Sequence, residues 1–286
     1  MSKRILVLGS TGMLGHQVVK YFSEFDNYVV SDISFRSKLR KETIVLDVTN
    51  KEQFEECIAN INPDFVINCI GVLIKGANND TSNAIYINAY LPHLLENIVK
   101  NVNAKLVHIS TDCVFSGEKG SYAELDERDG KDIYAKTKIL GEVIDDVNVT
   151  LRTSIIGPEL KTNGEGLFHW FMIQEGTING FTKAIWSGVT TLELAKAVKW
   201  AIENNITGLY HVTNNKSINK NDLLSLFKKY TNKDINIIAV NGKEVNKSFI
   251  DTREEINYVI PDYDLMVKEM IELIKSNREL YWQYEI

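Results

Sequence analysis

An apolar run, Arg4-Ile-Leu-Val-Leu8, leads into Gly9-Ser-Thr-Gly12-Met-Leu-Gly15 and then into an amphipathic stretch from His16 to Phe25. Strand, glycine turn and helix in that order mark the start of a parallel α/β unit. Gly9 makes the tight turn, Gly12 lets backbone approach a pyrophosphate, and Gly15 lets the helix pack close on the strand. The helix N-terminus offers free N–H groups and a positive dipole end to an anion. The turn as a whole, Gly9, Ser10, Thr11, Gly12, Met13, Leu14 and Gly15, is therefore a candidate dinucleotide cradle. Its spacing is Gly-x-x-Gly-x-x-Gly rather than Gly-x-Gly-x-x-Gly, and a glycine-rich turn that binds nothing is the plainer alternative.

The rhythm that follows supports the same fold class. Short apolar runs at Tyr28–Asp32, Thr43–Leu46, Phe65–Cys69, Lys105–Ile109 and Val147–Arg152 read as strands. Helical patterns lie between them at Lys51–Asn60, Ala84–Val102 and Asp132–Asp145. A helix over Thr191–Asn204 precedes one more strand, Leu209–Val212. This alternation predicts an α/β fold, a doubly wound parallel Rossmann sheet with its ligand at the carboxyl ends of the strands. Residues Glu159–Phe181, carrying Gly164, Gly166, Gly176 and Gly180, break the rhythm. From Asn214 onward helices at Lys220–Tyr230 and Leu265–Ser276 flank a strand at Ile235–Val240.

Tyr134 and Lys138 stand four apart in a helical segment, which brings their side chains to one face. A phenol, with a pKa of ~10, is a poor acid near neutrality. A neighbouring ammonium favours the phenolate and draws that value toward the working range, as general acid–base catalysis needs. A chance pairing on a helix surface gives the same spacing. A net charge of −6 argues against a general nucleic-acid binder. Cys57, Cys69 and Cys113 are widely spaced, so neither a zinc site nor a disulfide framework is indicated, and no metal is expected. Reduced cysteines, no signal-peptide core and no apolar run long enough to span a membrane make a cytoplasmic protein the expectation.

The glycine turn, Ser110-Thr-Asp-Cys-Val-Phe115 after an apolar strand, and Tyr134-Ala-Lys-Thr-Lys-Ile-Leu-Gly-Glu142 together resemble the extended short-chain dehydrogenase/reductase family. With Leu151-Arg-Thr-Ser154 and Gly188-Val-Thr-Thr-Leu-Glu-Leu-Ala195, the likeness is to its dTDP-4-dehydrorhamnose reductase branch. It spans the chain to about residue 213 and is loose over the last seventy residues. The resemblance implies a dinucleotide-binding domain of residues 1–158 and about 183–213, interleaved with a smaller α/β substrate lobe of about 159–182 and 214–286. It implies Thr111, Tyr134 and Lys138 as catalytic residues, NADP(H) or NAD(H) as cofactor with a lean to NADPH, and a nucleotide sugar as substrate. A homodimer is one assembly left open.

Individual positions follow. Asp32 closes the second strand, where a carboxylate can hold the ribose hydroxyls of NAD, and Arg36 can instead meet the 2′-phosphate of NADP. Both are also readable as loop charges. Asp47 and Val48 resemble the family's adenine-contacting pair, although Asp47 is equally placed to cap a helix. Cys69, Ile70 and Gly71 lie where family backbone passes the cofactor ribose, and Asn88 occupies the family's structural asparagine position. His108, on an apolar strand, reads as a packing residue rather than a catalyst.

Asp112, Cys113, Ile155, Lys183 and Trp186 are the implied substrate contacts, with His169 and Trp170 weaker ones. Lys183 offers a cation to a pyrophosphate and Trp186 a face to a base, against the alternative of a packed tryptophan beside a solvated lysine. Nucleotide-sugar dehydratases of the superfamily carry an acidic pair after the threonine. Here Cys113 replaces its second member, so the residue that would abstract the C5 proton is missing. The branch usually has an aromatic at Cys113 and at Ile155. The expected activity is reduction of the C4 keto group of a nucleoside-diphosphate 4-keto-6-deoxy sugar for surface polysaccharide precursors. A UDP-linked 2-acetamido sugar is an alternative substrate. The rival readings are a C4 epimerase and a non-catalytic NADP-binding regulatory subunit.

Overall fold

The apolar runs become strands because a parallel sheet is covered on both faces, and Val, Ile and Leu suit a pleated, buried surface. The computed structural model describes residues 2–286. The chain forms two compact units. The first runs to Val114 and adds Arg128–Arg152 and Ala195–Tyr210; the second holds Phe115–Glu127, Thr153–Leu194 and His211–Ile286. Segment 115–127 thus leaves the sheet unit, and the crossings at 153 and 194 differ from those expected at 158 and 183.

In chain order the first unit opens with β1 (Lys3–Leu8), α1 (Gly15–Phe22), β2 (Tyr28–Ser34), β3 (Ile44–Val45), α2 (Lys51–Ile61) and β4 (Phe65–Asn68). It continues through α3 (Ile74–Asn79), α4 (Thr81–Ala84), a π-helical turn (Ile85–Tyr90), α5 (Leu91–Asn101), β5 (Lys105–Thr111), α6 (Ile133–Leu140) and β6 (Val149–Thr153). The second unit brings β7 (Ile155–Ile156), α7 (Leu167–Ile173), β8 (Thr177–Phe181), β9 (Ala184–Trp186) and β10 (Val189–Thr190). α8 (Thr191–Glu203) and β11 (Gly208–His211) return the chain to the first unit, and β12 (Ile218–Asn219), α9 (Lys220–Thr231), β13 (Asn236–Val240), β14 (Val245–Asn246) and α10 (Tyr263–Ser276) complete the second.

The central sheet has the order β11-β6-β5-β4-β1-β2-β3. From β3 to β5 every neighbouring pair is parallel. The order reverses between β1 and β4, the switch point where doubly wound sheets open a crevice at their carboxyl ends. One face of the sheet packs Leu6, Leu8, Val66 and Leu106 against Phe54 and Ile58 of α2 and Leu91, Leu95 and Ile98 of α5.

Two helices are shorter than their sequence patterns suggest. The span Ala84–Val102 is not one helix, because Pro92 has no N–H to give and its ring crowds the carbonyl four residues back, that of Asn88. The backbone widens there into a π-turn, and Gly141 fits against the displaced carbonyl: a Cβ on it would lie 1.8 Å from Asn88 O. That same contact ends α6 at Leu140 rather than Asp145. Asp132 caps the start of α6, accepting from Ala135 N at 2.7 Å.

The second unit is built from short pairings. β7 pairs with β10, β8 with β13, and β9 lies between β12 and β14. Phe168, Phe171, Phe227 and Tyr284 form its aromatic interior by edge-on contacts. Among the described residues no helix is long and apolar enough to cross a membrane.

Candidate active site

The glycine turn has the geometry its spacing predicts. Gly9 sits at φ +79°, and its N–H donates to Ile33 O at 2.9 Å. Gly15 is the first residue of α1, and a Cβ there would fall 2.1 Å from Gly9 O, so no side chain fits. Buried His16 braces the turn from below, its Nδ1 lying 2.7 Å from Gly12 O. Burial lowers the pKa of His16 to about 4, so near neutrality the imidazole is uncharged and Nδ1–H donates. Thr11 and Met13 are half-buried on the turn, and Leu14 is buried at its helix end. The Ser10 hydroxyl is buried and without a protein partner. An orphaned hydroxyl beside a helix N-terminus, on a turn that excludes side chains, suits a phosphate group.

β2 runs on through Asp32 to Ser34, so Asp32 does not close the strand. Its carboxylate is fully buried and held by Arg40, Nε to Oδ1 at 2.7 Å, while the same guanidinium donates to Val30 O. Arg36 lies beyond the strand end, exposed, 4.9 Å from the Phe35 ring and with no paired carboxylate among the described residues. Asp47 is exposed and folds an Asx turn onto Thr49; the cap of α2 is Asn50 instead. Val48 is buried, its carbonyl accepting from Tyr86 OH.

Past β4, Cys69 and Ile70 pack against Gly9, which places this strand end beside the glycine turn. Burial pushes the Cys69 thiol up to about 12, which leaves it inert as a nucleophile. The nearest atom to a Cβ built on Gly71 is Asn88 Oδ1 at 3.8 Å, so the backbone there stays open to close approach. Asn88 accepts from Val72 N, and its amide donates to Val72 O and Thr137 Oγ1. Its role is to tie the π-turn to the loop after β4 and to α6.

β5 delivers Thr111 and α6 delivers the buried Tyr134. Thr111 Oγ1 donates to Asp112 Oδ1 at 3.2 Å and accepts from Cys113 N–H at 3.1 Å, near enough to the phenol to act on its pKa. Burial pushes the Tyr134 pKa upward; Cys113, Asp112 and Asp132 add to the rise, and the nearby Thr111 hydroxyl opposes it. Lys138 does not turn its charge on the phenol as expected. Its Nζ donates to Ile109 O at 2.8 Å and lies 3.5 Å from His108 Nε2. Burial lowers the Lys138 pKa to about 8, with Glu142 opposing. Desolvation, which disfavours both charged forms, outweighs their mutual attraction here. Asp112 is buried in the turn after β5, and half-buried Cys113 packs against Tyr134.

The chain matches the RmlD substrate binding domain over residues 3–249. The chain belongs to that family. The match continues past residue 213, where the sequence likeness had faded. A dTDP-4-dehydrorhamnose reductase of Aggregatibacter actinomycetemcomitans is 30% identical over 53% of this chain and 51% of its own length. A probable low-salt glycan biosynthesis reductase of Haloferax volcanii is 26% identical over 76% of each chain. The match thus spans about half the length of the first relative. In fold, the chain superimposes on the dTDP-4-dehydrorhamnose reductase of Bacillus anthracis in complex with NADP, with a TM-score of 0.82 at 22% identity, over 96% of this chain and 99% of that one.

Within the second unit the substrate expectations fare unevenly. Trp186 is buried, its Nε1 donating to Ser154 Oγ at 2.8 Å, with Tyr263 against its ring and Lys220 Nζ 5.5 Å over it. It has no open face for a base. Lys183 is spent on an exposed ion pair with Glu244. Ile155 is half-buried and paired with Val189. His169 is buried against Tyr284 OH at 2.9 Å, and Trp170 is exposed.

Two polar groups escaped the sequence reading. Glu142 takes both Nε and Nη2 of buried Arg152, and also accepts from Ser110 Oγ and Arg128. Asn68 ends β4 opposite His108 on β5, both fully buried. A polar side chain in an otherwise apolar parallel strand was the available signal, because burial without a partner costs too much to persist.

Proposed function

We propose that this chain is an NADPH-dependent reductase of the C4 keto group of a nucleoside-diphosphate 4-keto-6-deoxy sugar. The observation that carries this reading is the buried Tyr134 phenol, with Thr111 close by and Lys138 one helical turn later. The cofactor's turn stands at the switch point of the same sheet. When bound, NADPH supplies the hydride. Gly9–Gly15 and Ser10 would hold its pyrophosphate, and Arg36 its 2′-phosphate. NADPH is favoured over NADH because Arg36 is free to meet a 2′-phosphate; Arg40 takes only Oδ1 of Asp32, and the buried Oδ2 keeps no partner, so NADH is to be tested beside it.

Thr111 holds the carbonyl oxygen against the phenol, and Tyr134 gives its proton to the developing alkoxide. Burial keeps that proton on the phenol until the alkoxide forms, which suits an acid. Lys138, as the ammonium, would hold the nicotinamide ribose. Cys113, where a dehydratase base would stand, leaves the site without a group for C5 deprotonation. The smaller Cys113 leaves room beside the sugar, so a UDP-linked 2-acetamido sugar is a second substrate to test beside the dTDP-linked one. The Haloferax relative's name supports a place in glycan precursor synthesis.

The test follows NADPH absorbance with each keto sugar, generated by its own upstream dehydratase. Consumption of NADPH with one of them is expected, and Arg36→Ala should raise the KM for NADPH by roughly tenfold while sparing NADH. No consumption with either, in folded enzyme that still binds NADPH, would overturn the reading. Tightly retained NAD with no net turnover of cofactor would point to a C4 epimerase.

A further inference from the structure

His108 lies outside the catalytic set, yet it is fully buried between Asn68 and Lys138. The contacts fix its protonation. Ile70 N–H donates to Asn68 Oδ1 at 3.1 Å, so the other end of that amide, Nδ2, is what faces His108 Nδ1 at 3.2 Å. An amide nitrogen only donates, so Nδ1 accepts and the imidazole proton sits on Nε2. Nε2–H then points at Lys138 Nζ, 3.5 Å away. An ammonium would meet that N–H head-on, whereas a neutral amine would accept it through its lone pair.

We propose that His108 is a positioning residue for Lys138: Asn68 fixes its tautomer, and its Nε2–H, with Ile109 O, holds the lysine nitrogen in place and eases loss of the lysine's proton. This rests on the reading of Lys138 as the ammonium that holds the nicotinamide ribose. Burial lowers the lysine's pKa, and no neighbouring charge among the described residues adds to that lowering. Glu142, beyond α6, favours the ammonium, but its charge is largely taken up by Arg152 and Arg128. On α5, His93 acts weakly on His108, and on the β4 side Asn68 is uncharged and the Cys69 thiol is neutral. Burial, then Lys138, then His93 keep His108 itself well below the ordinary histidine value, so it stays an uncharged donor. Burial already brings Lys138 to about 8, and the His108 donor adds to this by favouring the neutral amine, in a site that uses the charged form. Turnover should therefore decline as pH rises through that value.

Asn68→Asp is the decisive variant. One carboxylate oxygen still accepts from Ile70 N–H, and the other demands a proton on Nδ1, so Nε2 becomes an acceptor for the ammonium. Nuclear magnetic resonance on the full chain reads both partners without requiring turnover. In the wild type, ¹⁵N-labelled histidine should show His108 as the neutral Nε2–H form from about pH 6 to about 9. In Asn68→Asp the ¹³Cε titration midpoint of Lys138 should rise by about one pH unit or more. The alkaline limb of kcat for keto-sugar reduction should rise with it, with KM little changed. A wild-type Nδ1–H tautomer, an unmoved lysine midpoint in folded Asn68→Asp, or a moved midpoint with an unmoved limb would each overturn the proposal. Absence of turnover in the wild type, with both resonance results as expected, would count against the reductase reading alone.

Discussion

The two units treat buried charge differently. In the sheet unit, polar side chains run inward in chains: Asn68 to His108 to Lys138, and Ser110 and Arg128 to Glu142 and Arg152. In the second unit aromatic rings fill the interior, and ion pairs such as Lys183–Glu244 and Lys229–Asp264 stay in solvent. Glu193, which accepts from Tyr258 OH, and Glu124, buried with Thr252, are its exceptions. Burying charge is costly unless every group is paired. Such groups gather where β4, β5 and β6 lead to Thr111 and Tyr134, so the sheet unit is the one whose interior is arranged around proton chemistry.

The comparison breaks most directly at Tyr134. Tyr134→Phe removes one hydroxyl and leaves the ring packing, so cofactor binding should survive while kcat falls by about 10²–10⁴-fold. Steady-state kinetics beside NADPH titration checks both halves. Near-normal turnover would leave the buried polar chains as scaffolding only.

Next in size is the contrast between ion pairs. Glu142→Ala strands a fully buried Arg152 and should cost about 3–5 kcal/mol of stability. Lys183→Ala breaks an exposed pair and should cost about 0–1 kcal/mol. Urea unfolding of both variants measures the difference. Equal losses would mean that the inward charge of the sheet unit carries no special weight.

What the sequence revealed follows the same division. The glycine turn, the parallel strands and the helix that carries Tyr134 and Lys138 one turn apart were legible because each is a local pattern: a strand feeding a turn, or a spacing on one helix. The break at Ile85–Tyr90 was not, since it comes from Pro92 and from Gly141 on a different helix. The Arg40 contact to Asp32 was hidden for a similar reason: it comes from eight residues on and takes Oδ1, leaving the buried Oδ2 without a partner. Trp186 was placed as a contact by likeness, and its burial depends on Ser154 and Tyr263, distant in the chain. In the second unit, strands of two or three residues are too short to show periodicity at all.

The smallest effect sharpens the comparison through pH. His16 and His108 have pKa values below the ordinary 6.5, so in the sheet unit they contribute stability that is present above that pH. It is lost as pH falls from 6.5 toward the folded values, because the unfolded chain takes up protons that the native one refuses. Over one unit below 6.5 the loss is ~1 kcal/mol per histidine. Asp251 in the second unit has the opposite sign. Burial, aided by Glu124, raises it to about 6, so its neutral form is favoured and stability is gained as pH falls through that value toward 3.8. Burial alone would raise Glu124 as well, but His211 and Thr252 outweigh it and hold it below 4.5, so it does not act in this window. Half-exposed Asp251 is screened by water, and its share is the smaller. Hydrogen exchange at about pH 7 and about pH 5.5, corrected for intrinsic rates, should show peptides of β1, α1 and β5 losing protection while those around Asp251 hold or gain it. Equal loss in both units would show that the buried histidines do not set the acid limit of the sheet unit.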